Sequence, residues 1–209
     1  MIIQCDFDGT IIRNNLSVLL REKYARGDWQ RIDSDYLNGY LTVEQSNKLQ
    51  FSLIKEPEKK LQEFVRQHIE VKPGFVEFVR YCQESTIPFV IVSNGLDFYI
   101  EPVLLEICMP DLELHCGRTS FSHDGIDVTY CDPERNIVSE GFKKIYSAWL
   151  KKRCKNIIYI GDGLSDLEAA CQADHIFATG HLVKLLGGQS IPCSSFSDFH
   201  DLLHQLRLL

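Results

Sequence analysis

The stretch CDFDGT, residues 5–10, decides the fold prediction, because it joins an apolar strand to a pair of carboxylates. The apolar residues 1–3 precede it, and Asp6 and Asp8 lie two positions apart within it. Gly9 then permits a tight turn. Carboxylates crowded at the end of a buried strand raise one another's pKa and destabilise the fold unless a cation offsets their charge. The stretch therefore predicts a buried strand that ends in a functional turn.

The composition is that of a globular protein. The chain has 209 residues, a formal net charge of -7 and 44% hydrophobic residues, which suffice for one sizeable domain or a domain with an insert. The negative charge argues against a nucleic-acid partner, whereas a small phosphorylated ligand needs only a locally positive site. No apolar stretch approaches the ~20 residues that span a bilayer. The eight cysteines form no CxxC pair, which disfavours a zinc-ribbon or thioredoxin-type site. We expect a cytoplasmic monomer or homodimer with mostly reduced thiols and no membrane partner.

Strand-like and helix-like runs alternate along most of the chain. Residues 2–6, 88–95 and 156–163 are apolar or β-branched and end in polar turns, which is typical of buried parallel strands. The HDG sequence at 123–125 predicts a hairpin turn. A helix is predicted over residues 164–172, after the third of these strands. The alternation predicts an α/β fold with a Rossmann-like parallel sheet and helices on both faces.

A helical insert interrupts this alternation after the first strand. Its sequence has the period of about four helices, and TVEQ at 42–45 is a capping-box pattern that opens one of them. We predict that residues 1–13 and 72–209 form the core and that residues 14–71 form a helical cap. The cap should cover the carboxyl ends of the strands, where open α/β sheets bind ligands. Pro73 then fits the first position of the next helix.

Three strands end in polar clusters, which parallel pairing should bring to one edge of the sheet. Four carboxylates in one small volume need a cation, and hard oxygen ligands in small number favour Mg²⁺. The sequence therefore predicts a magnesium site. The clusters are Asp6 with Asp8, Ser93 with Asn94, and Asp162 with Asp166.

Each cluster has an ordinary structural explanation when it is taken alone. A DxD pair after a strand is often a solvated turn or a nucleotide-sugar site. The GDGLSD turn at 161–166 is compatible with aspartates that only cap a helix, and Asp166 stands where a dinucleotide-binding GxGxxG motif has its third glycine. Taken together, however, all the clusters lie at the ends of predicted parallel strands, and this joint placement favours a functional site.

In this order the motifs resemble those of the haloacid dehalogenase (HAD) superfamily of phosphohydrolases. The matching segments are DFDGT at 6–10, VSNG at 92–95, a lysine, and GDGLSD at 161–166. The resemblance covers nearly the whole chain, and the placement of the cap is similar to that in the phosphoserine-phosphatase-like branch. It implies a HAD-like fold and a Mg²⁺-dependent phosphomonoesterase that acts on a small phosphate ester.

The resemblance also implies roles for individual residues. Asp6 is the implied nucleophile, which forms an aspartyl-phosphate, and Asp8 is the implied general acid and base. Thr10 is expected to orient Asp8. The implied metal ligands are Asp6, Asp8 (through its backbone carbonyl), Asp162 and Asp166, and the implied phosphate-binding residues are Ser93, Asn94 and Lys143.

The lysine of the motif set is either Lys143 or Lys144. Neighbouring residues on a helix point about 100° apart, so only one of them faces the site. The spacing to the GDG turn in related phosphoserine phosphatases favours Lys143. Lys144 is then a surface residue.

The cap is expected to select the substrate. The glutamate and arginine that bind phosphoserine in its phosphatases align with Asn15 and Gln50, so a zwitterionic substrate would leave buried charge unpaired. The sequence is more similar to the methionine-salvage phosphatases that act on 2-hydroxy-3-keto-5-methylthiopentenyl-1-phosphate, which share the FSL segment at 51–53. Those relatives have a cysteine-rich stretch before the lysine, where this chain has Cys131 alone. We expect a small neutral or apolar phosphate ester, with phosphoserine as the alternative.

Two other classes of function compete with this interpretation. A phospho-accepting signalling module of the receiver type also uses aspartates, Mg²⁺ and a lysine, but residues 16–69 have no place in it. A catalytically silent binding protein is the other, and the complete motif set provides no reason to favour it.

Overall fold

A mostly parallel sheet of eight strands runs through the protein, and the computed structural model describes all 209 residues. The strands are β1 (Ile2–Cys5), β2 (Phe89–Leu96), β3 (Glu113–Ser122), β4 (Gly125–Cys131), β5 (Ile137–Val138), β6 (Ile157–Gly161), β7 (His175–Ala178) and β8 (Ser194–Ser195). They lie in the order β5-β4-β3-β2-β1-β6-β7-β8. β1 pairs in parallel with β2 and β6, whereas β3, β4 and β5 pair antiparallel.

Ten helices surround this sheet, and none of them is long and apolar enough to cross a lipid bilayer. They are α1 (Leu16–Tyr24), α2 (Trp29–Leu37), α3 (Val43–Phe51), α4 (Glu58–His68), α5 (Phe75–Glu84), α6 (Asp97–Glu106), α7 (Phe142–Arg153), α8 (Leu167–Ala170), α9 (Gly180–Gly188) and α10 (Phe199–Leu206). A short 3₁₀ helix, Leu164–Asp166, precedes α8.

The predicted fold class, a Rossmann-like parallel sheet with helices, is confirmed. The three predicted parallel strands are β1, β2 and β6, which lie side by side and are buried along their whole length. The predicted hairpin joins β3 to β4. The capping box is also present, because the Thr42 side chain accepts from the Gln45 amide and the Gln45 side chain accepts from the Thr42 amide.

Two local predictions were wrong. Pro73 does not start α5, because Gly74 adopts a left-handed conformation at φ +83° and forms the N-cap instead. The helix predicted over 164–172 is split into the 3₁₀ helix and the short α8. The split follows from the Asp166 carboxylate, which accepts hydrogen bonds from the amides of Asp162 and Gly163 and holds a tight turn there.

The helices α1, α3 and α4 share one apolar core with the sheet, whereas α2 has no buried residue. Leu20, Phe51 and Leu61 are fully buried in the same cluster as Ile91 of β2 and Phe98 of α6. Phe51 and Phe98 meet edge to face, with ring centroids 6.5 Å apart. The division into a core and a cap at residues 14–71 stays a prediction.

The β3–β4 hairpin forms a platform for α3. Gly125, at the start of β4, has φ +137°, and a Cβ there would overlap the backbone carbonyl of Ser52 at the end of α3. Only glycine permits this close approach of backbones. The contact places α3 above the ends of β1 and β2.

Candidate active site

The structure brings the predicted polar clusters together at the carboxyl ends of β1, β2 and β6. Asp166 lies beneath them and is completely buried. The other predicted residues line one cavity of about 240 Å³ that also reaches helices α1, α2 and α3. These cavity-lining residues are Asp6, Asp8, Asn15, Gln50, Ser93, Asn94, Lys143 and Asp162.

A buried lysine joins two of the carboxylates. The Nζ of Lys143 lies 2.7 Å from Asp6 Oδ1 and 2.7 Å from Asp166 Oδ1, and its side chain is 3% exposed. Burial lowers the pKa of Lys143, but the Asp166 and Asp6 carboxylates outweigh burial and raise that pKa above its ordinary value. Lys144, the alternative, lies at the surface, where its Nζ is 3.0 Å from Glu168 Oε2.

Asp6 is the carboxylate that faces the cavity from β1. Burial raises the pKa of Asp6 well above its ordinary value, Lys143 lowers it, and Asp166 and Asp162 raise it further. Its Oδ1 forms the ion pair with Lys143. Its Oδ2 has no hydrogen-bond partner within the protein and is available to a ligand in the cavity.

Asp166 holds the turn that follows β6. Its Oδ1 accepts hydrogen bonds from Lys143 Nζ at 2.7 Å and from the Tyr159 hydroxyl at 2.6 Å. Its Oδ2 accepts from the amides of Asp162 and Gly163 at 2.9 and 2.8 Å. Both oxygens are therefore engaged in positioning the loop that carries Asp162.

Asp8 is oriented by two groups that the sequence did not reveal. The Tyr99 hydroxyl donates to Asp8 Oδ2 at 2.6 Å, and the Leu16 amide, at the start of α1, donates to Oδ1 at 2.8 Å. Burial raises the pKa of Asp8 to about 6, although both hydrogen bonds lower it. Thr10 does not orient Asp8 as predicted, because its hydroxyl is directed at Asp162 Oδ1, 3.4 Å away.

The turn at Gly9 packs directly against Asp162. Gly9 has φ +76°, and a Cβ at this position would overlap the Asp162 carboxylate. Lys72, also missed in the sequence, donates from Nζ to the Gly9 carbonyl at 2.7 Å. Burial and the neighbouring Asp166 raise the pKa of Asp162 to about 6. The contact joins the loops after β1 and β6 into one acidic site.

The acidic cluster fits a divalent cation. Asp6, Asp162 and Asp166 each offer one carboxylate oxygen, and these oxygens lie within 4.8 Å of one another. Hard oxygen donors of this kind suit Mg²⁺. Because both oxygens of Asp166 already accept hydrogen bonds, Asp6 and Asp162 offer the more available oxygens for direct coordination.

The cap side of the cavity carries charges that sequence reasoning missed. Arg21 of α1 and Asp33 of α2 line the cavity together with Gln50. The structure therefore adds a charged pair to the two uncharged positions, Asn15 and Gln50, that the sequence reasoning considered. Asn15 uses its Oδ1 to cap α1, where it accepts from the Val18 amide at 3.0 Å.

Buried hydrogen bonds attach α3 to the end of β2, where Ser93 and Asn94 lie. Glu44 Oε1 accepts from the Asn94 side-chain amide at 3.2 Å and from the Phe142 amide at 2.9 Å. The Asn47 side chain donates to the Asn94 carbonyl and to the Tyr130 hydroxyl, both at 2.8 Å. These contacts close the cavity on the side of α3.

A second, larger cavity of about 620 Å³ adjoins the first. Tyr36, Val43, Asn94, Lys143 and Leu164 are among the residues that line both cavities. The second cavity has the more apolar wall, to which α3, α7 and α8 contribute.

Comparison with known proteins shows what this arrangement is similar to. Residues 3–170 match the family model described as haloacid dehalogenase-like hydrolase. A 2-hydroxy-3-keto-5-methylthiopentenyl-1-phosphate phosphatase of Bacillus mycoides (strain KBAB4) is 31% identical over 209 residues, which cover 98% of this chain and 95% of that protein. The phosphatase of the same name from Brevibacillus brevis is 28% identical over 211 residues, which cover 99% and 95%.

Solved structures of phosphoserine phosphatases share the fold. One, a phospho-aspartyl intermediate analogue, has a TM-score of 0.72 at 17% identity and covers 100% of this chain and 98% of that chain. A substrate-bound phosphoserine phosphatase has a TM-score of 0.71 at 19% identity and covers 98% and 97%.

The fold and the matches define a hydrolase built on a Rossmann-like sheet. The chain belongs to the haloacid dehalogenase-like hydrolase family. The predicted enzyme class, phosphoric monoester hydrolase, agrees with the names of its relatives and structural neighbours.

The two adjacent lysines provide a matched test of the buried ion cluster. Lys143→Met should lower the free energy of unfolding by roughly 3–5 kcal/mol, because it leaves Asp6 and Asp166 buried without their cation. Lys144→Met should change it by less than about 0.5 kcal/mol, as is usual for surface substitutions. Urea unfolding at neutral pH in the presence of a chelator measures both, and equal stabilities would contradict the stabilising role of Lys143.

Proposed function

We propose that the protein is a Mg²⁺-dependent phosphomonoesterase that hydrolyses a small phosphorylated metabolite through an aspartyl-phosphate on Asp6. One observation carries the proposal. Asp6 presents an unpartnered carboxylate oxygen to a cavity, while Lys143 binds its other oxygen at 2.7 Å. A fixed carboxylate beside a buried cation is suited to attack on an anionic phosphoryl group.

Asp6 and Asp8 divide the reaction between them. Asp6 attacks phosphorus, the ester P–O bond breaks, and Asp8 gives its proton to the leaving oxygen. Asp8 then removes a proton from a water molecule, which attacks the aspartyl-phosphate and releases inorganic phosphate, so that Asp6 is regenerated. A pKa of about 6 leaves part of the Asp8 population protonated near neutral pH. The hydrogen bonds from Tyr99 and Leu16 hold Asp8 in place for both proton transfers.

The remaining site residues bind charge. Mg²⁺, when bound, neutralises the developing charge on the phosphoryl oxygens. Its proposed ligands are Asp6, the backbone carbonyl of Asp8, Asp162 and Asp166. Ser93, Asn94 and Lys143 are the proposed phosphate-binding residues, and all three line the cavity beside Asp6.

The candidate substrate is 2-hydroxy-3-keto-5-methylthiopentenyl-1-phosphate. Relatives named as phosphatases of this compound are about 30% identical to this chain over nearly its full length. The adjoining cavity of about 620 Å³ has the size to accept a methylthio chain, and eight of its 18 lining residues are hydrophobic. Phosphoserine is the alternative, and structural neighbours at under 20% identity support it less strongly.

Asp6→Asn tests the nucleophile. The amide is a poor nucleophile, so phosphate release should fall on the order of 10⁴-fold or more while the thermal unfolding curve keeps its cooperative shape. Asp124→Asn is the control, because Asp124 is exposed in the β3–β4 turn and should leave turnover unchanged. Substantial turnover by the Asp6 variant would exclude Asp6 as nucleophile.

Metal removal tests the cation site. Dialysis against a chelator should abolish phosphate release, and added Mg²⁺ should restore it, because the acidic cluster would otherwise repel the phosphate dianion. Asp162→Asn should raise the Mg²⁺ concentration needed for half-maximal activity about 10-fold or more. Full activity in the chelator would contradict the Mg²⁺ requirement.

A direct comparison of two substrates tests the substrate assignment. The kcat/KM for 2-hydroxy-3-keto-5-methylthiopentenyl-1-phosphate should exceed that for phosphoserine on the order of 100-fold, because the second cavity has room for the chain, whereas the carboxylate of phosphoserine would add to the negative charge of the aspartates in the first cavity. Steady-state phosphate release with both esters measures the ratio. A ratio below one would favour the phosphoserine alternative.

A further inference from the structure

Arg21 has an unusual environment for a buried arginine. It is 7% exposed, lies on α1 and lines the cavity over Asp6 and Asp8. Its nearest partners are distant, with Nη1 3.5 Å from Asn47 Oδ1 and Nη2 3.7 Å from Asp33 Oδ1. Its Nε has no partner at all. Since N–H···O hydrogen bonds are normally 2.7–3.2 Å long, the protein leaves most of the five donors of this guanidinium without a good acceptor.

Gln50 presents the complementary group nearby. Its Nε2 faces two acceptors, the Trp29 carbonyl and Asp33 Oδ1, each 3.4 Å away. Because both neighbours are acceptors, the NH₂ end of the Gln50 amide faces them. The other end, Oε1, is left free and is buried without a hydrogen-bond partner. Gln50 and Arg21 both lie beside Asp33 Oδ1 and both line the cavity. Together they offer strong donors and one acceptor to a ligand.

Unpartnered buried polar groups cost stability, and a charged group costs the most. The Asn47 side chain is not free to turn towards Arg21 or Gln50, because its hydrogen bonds to Asn94 and Tyr130 already determine its orientation. The structure gives no other reason for Arg21 and Gln50 to stay unpaired. A ligand that brings an oxygen acceptor to Arg21 and a hydroxyl donor to Gln50 would satisfy both.

The charges around the cavity favour an uncharged ligand group at this place. Asp33 already offsets part of the Arg21 charge, and Asp6, Asp8 and Asp162 line the same cavity. A carboxylate on the leaving group would add to this negative charge. A carbonyl oxygen accepts from a guanidinium without adding charge.

We propose that Arg21 is a specificity-determining residue, and that with Gln50 it binds the vicinal carbonyl and hydroxyl oxygens of an uncharged hydroxyketone or enol-ketone leaving group. This inference rests on the proposed phosphatase function and names the substrate class of the same cavity. Phosphate binding at Ser93, Asn94 and Lys143 and leaving-group recognition at Arg21 are then separate parts of one site.

Three phosphate esters and two arginine variants test the proposal. Dihydroxyacetone phosphate carries the vicinal carbonyl and hydroxyl, n-propyl phosphate has the same carbon chain without them, and O-phosphoserine carries a carboxylate. Arg21→Met keeps an unbranched apolar chain in place of the aliphatic part of arginine and removes the charge and the donors. Arg31→Met is the control, because Arg31 is exposed on α2 and lines neither cavity described above.

The measured quantity is the ratio of kcat/KM for dihydroxyacetone phosphate to that for n-propyl phosphate. Arg21→Met should lower this ratio on the order of 10- to 100-fold, the usual effect of losing hydrogen bonds to a charged group. Arg31→Met should leave it unchanged. An unchanged ratio in Arg21→Met would overturn the proposal, and so would a larger loss with O-phosphoserine than with dihydroxyacetone phosphate, which would assign Arg21 to a carboxylate.

Direct binding separates recognition from turnover. In the Asp6→Asn background, isothermal titration should show that Arg21→Met weakens binding of dihydroxyacetone phosphate and not that of n-propyl phosphate. Equal weakening of both ligands would show a structural role and overturn the proposal. The methionine variant should fold, because Asp33 is 35% exposed and stays hydrated when Arg21 is removed. If it does not fold, Arg21→Lys replaces it in the same experiments, since lysine keeps the charge but loses the planar fork of donors. Wild-type protein that releases no phosphate from any ester would refute the proposed function itself.

Discussion

The ion cluster of Lys143 with Asp6 and Asp166 is the interaction on which the site depends. A fully desolvated ammonium is tolerable only between carboxylates that hydrogen-bond to it, and each carboxylate in turn needs the ammonium. The cluster joins β1, the 3₁₀ helix after β6, and α7. A second contact positions α7, because Gln4 of β1 donates from Nε2 to the Lys143 carbonyl at 3.1 Å and accepts from the Ser147 hydroxyl at 2.7 Å. The nucleophile candidate and its cation are therefore held by the same strand and helix.

The features that could be predicted from the sequence are those that depend on local pattern and on parallel topology. Buried strands have a recognisable composition, and parallel pairing brings their carboxyl ends to one edge, so the sequence alone could place Asp6, Ser93 and Asp162 together. The same reasoning could not find Tyr99. Its hydroxyl reaches Asp8 across 91 positions of sequence, and its place depends on how α6 packs against β2 and α1. A buried tyrosine on an apolar helix has no local signature of such a contact.

The charge of the cap pocket shows a second limit of sequence reasoning. A gap-free alignment transfers positions along the chain, whereas a pocket is defined by the direction of side chains in space. Asn15 is at the start of α1 and is committed to capping that helix, so it could not replace an acidic residue. The charges in the cavity come from Arg21, later on α1, and from Asp33 of α2. Their convergence depends on the angle between two helices, which hydrophobic periodicity does not determine.

The contacts between α3 and β2 connect the helices of residues 14–71 to the proposed phosphate-binding residues. Asn94 belongs to the strand end that is proposed to bind phosphate, yet its side chain donates to Glu44 and its carbonyl accepts from Asn47. Asp8 has a similar double role, since the Leu16 amide at the start of α1 donates to it. A phosphate ester in the cavity would thus contact groups that also hold α1 and α3. Because Arg21 lies on α1 and Gln50 on α3, the proposed leaving-group site would be positioned by residues beside the proposed phosphoryl site. The proposed recognition and the proposed chemistry would therefore share their supporting hydrogen bonds.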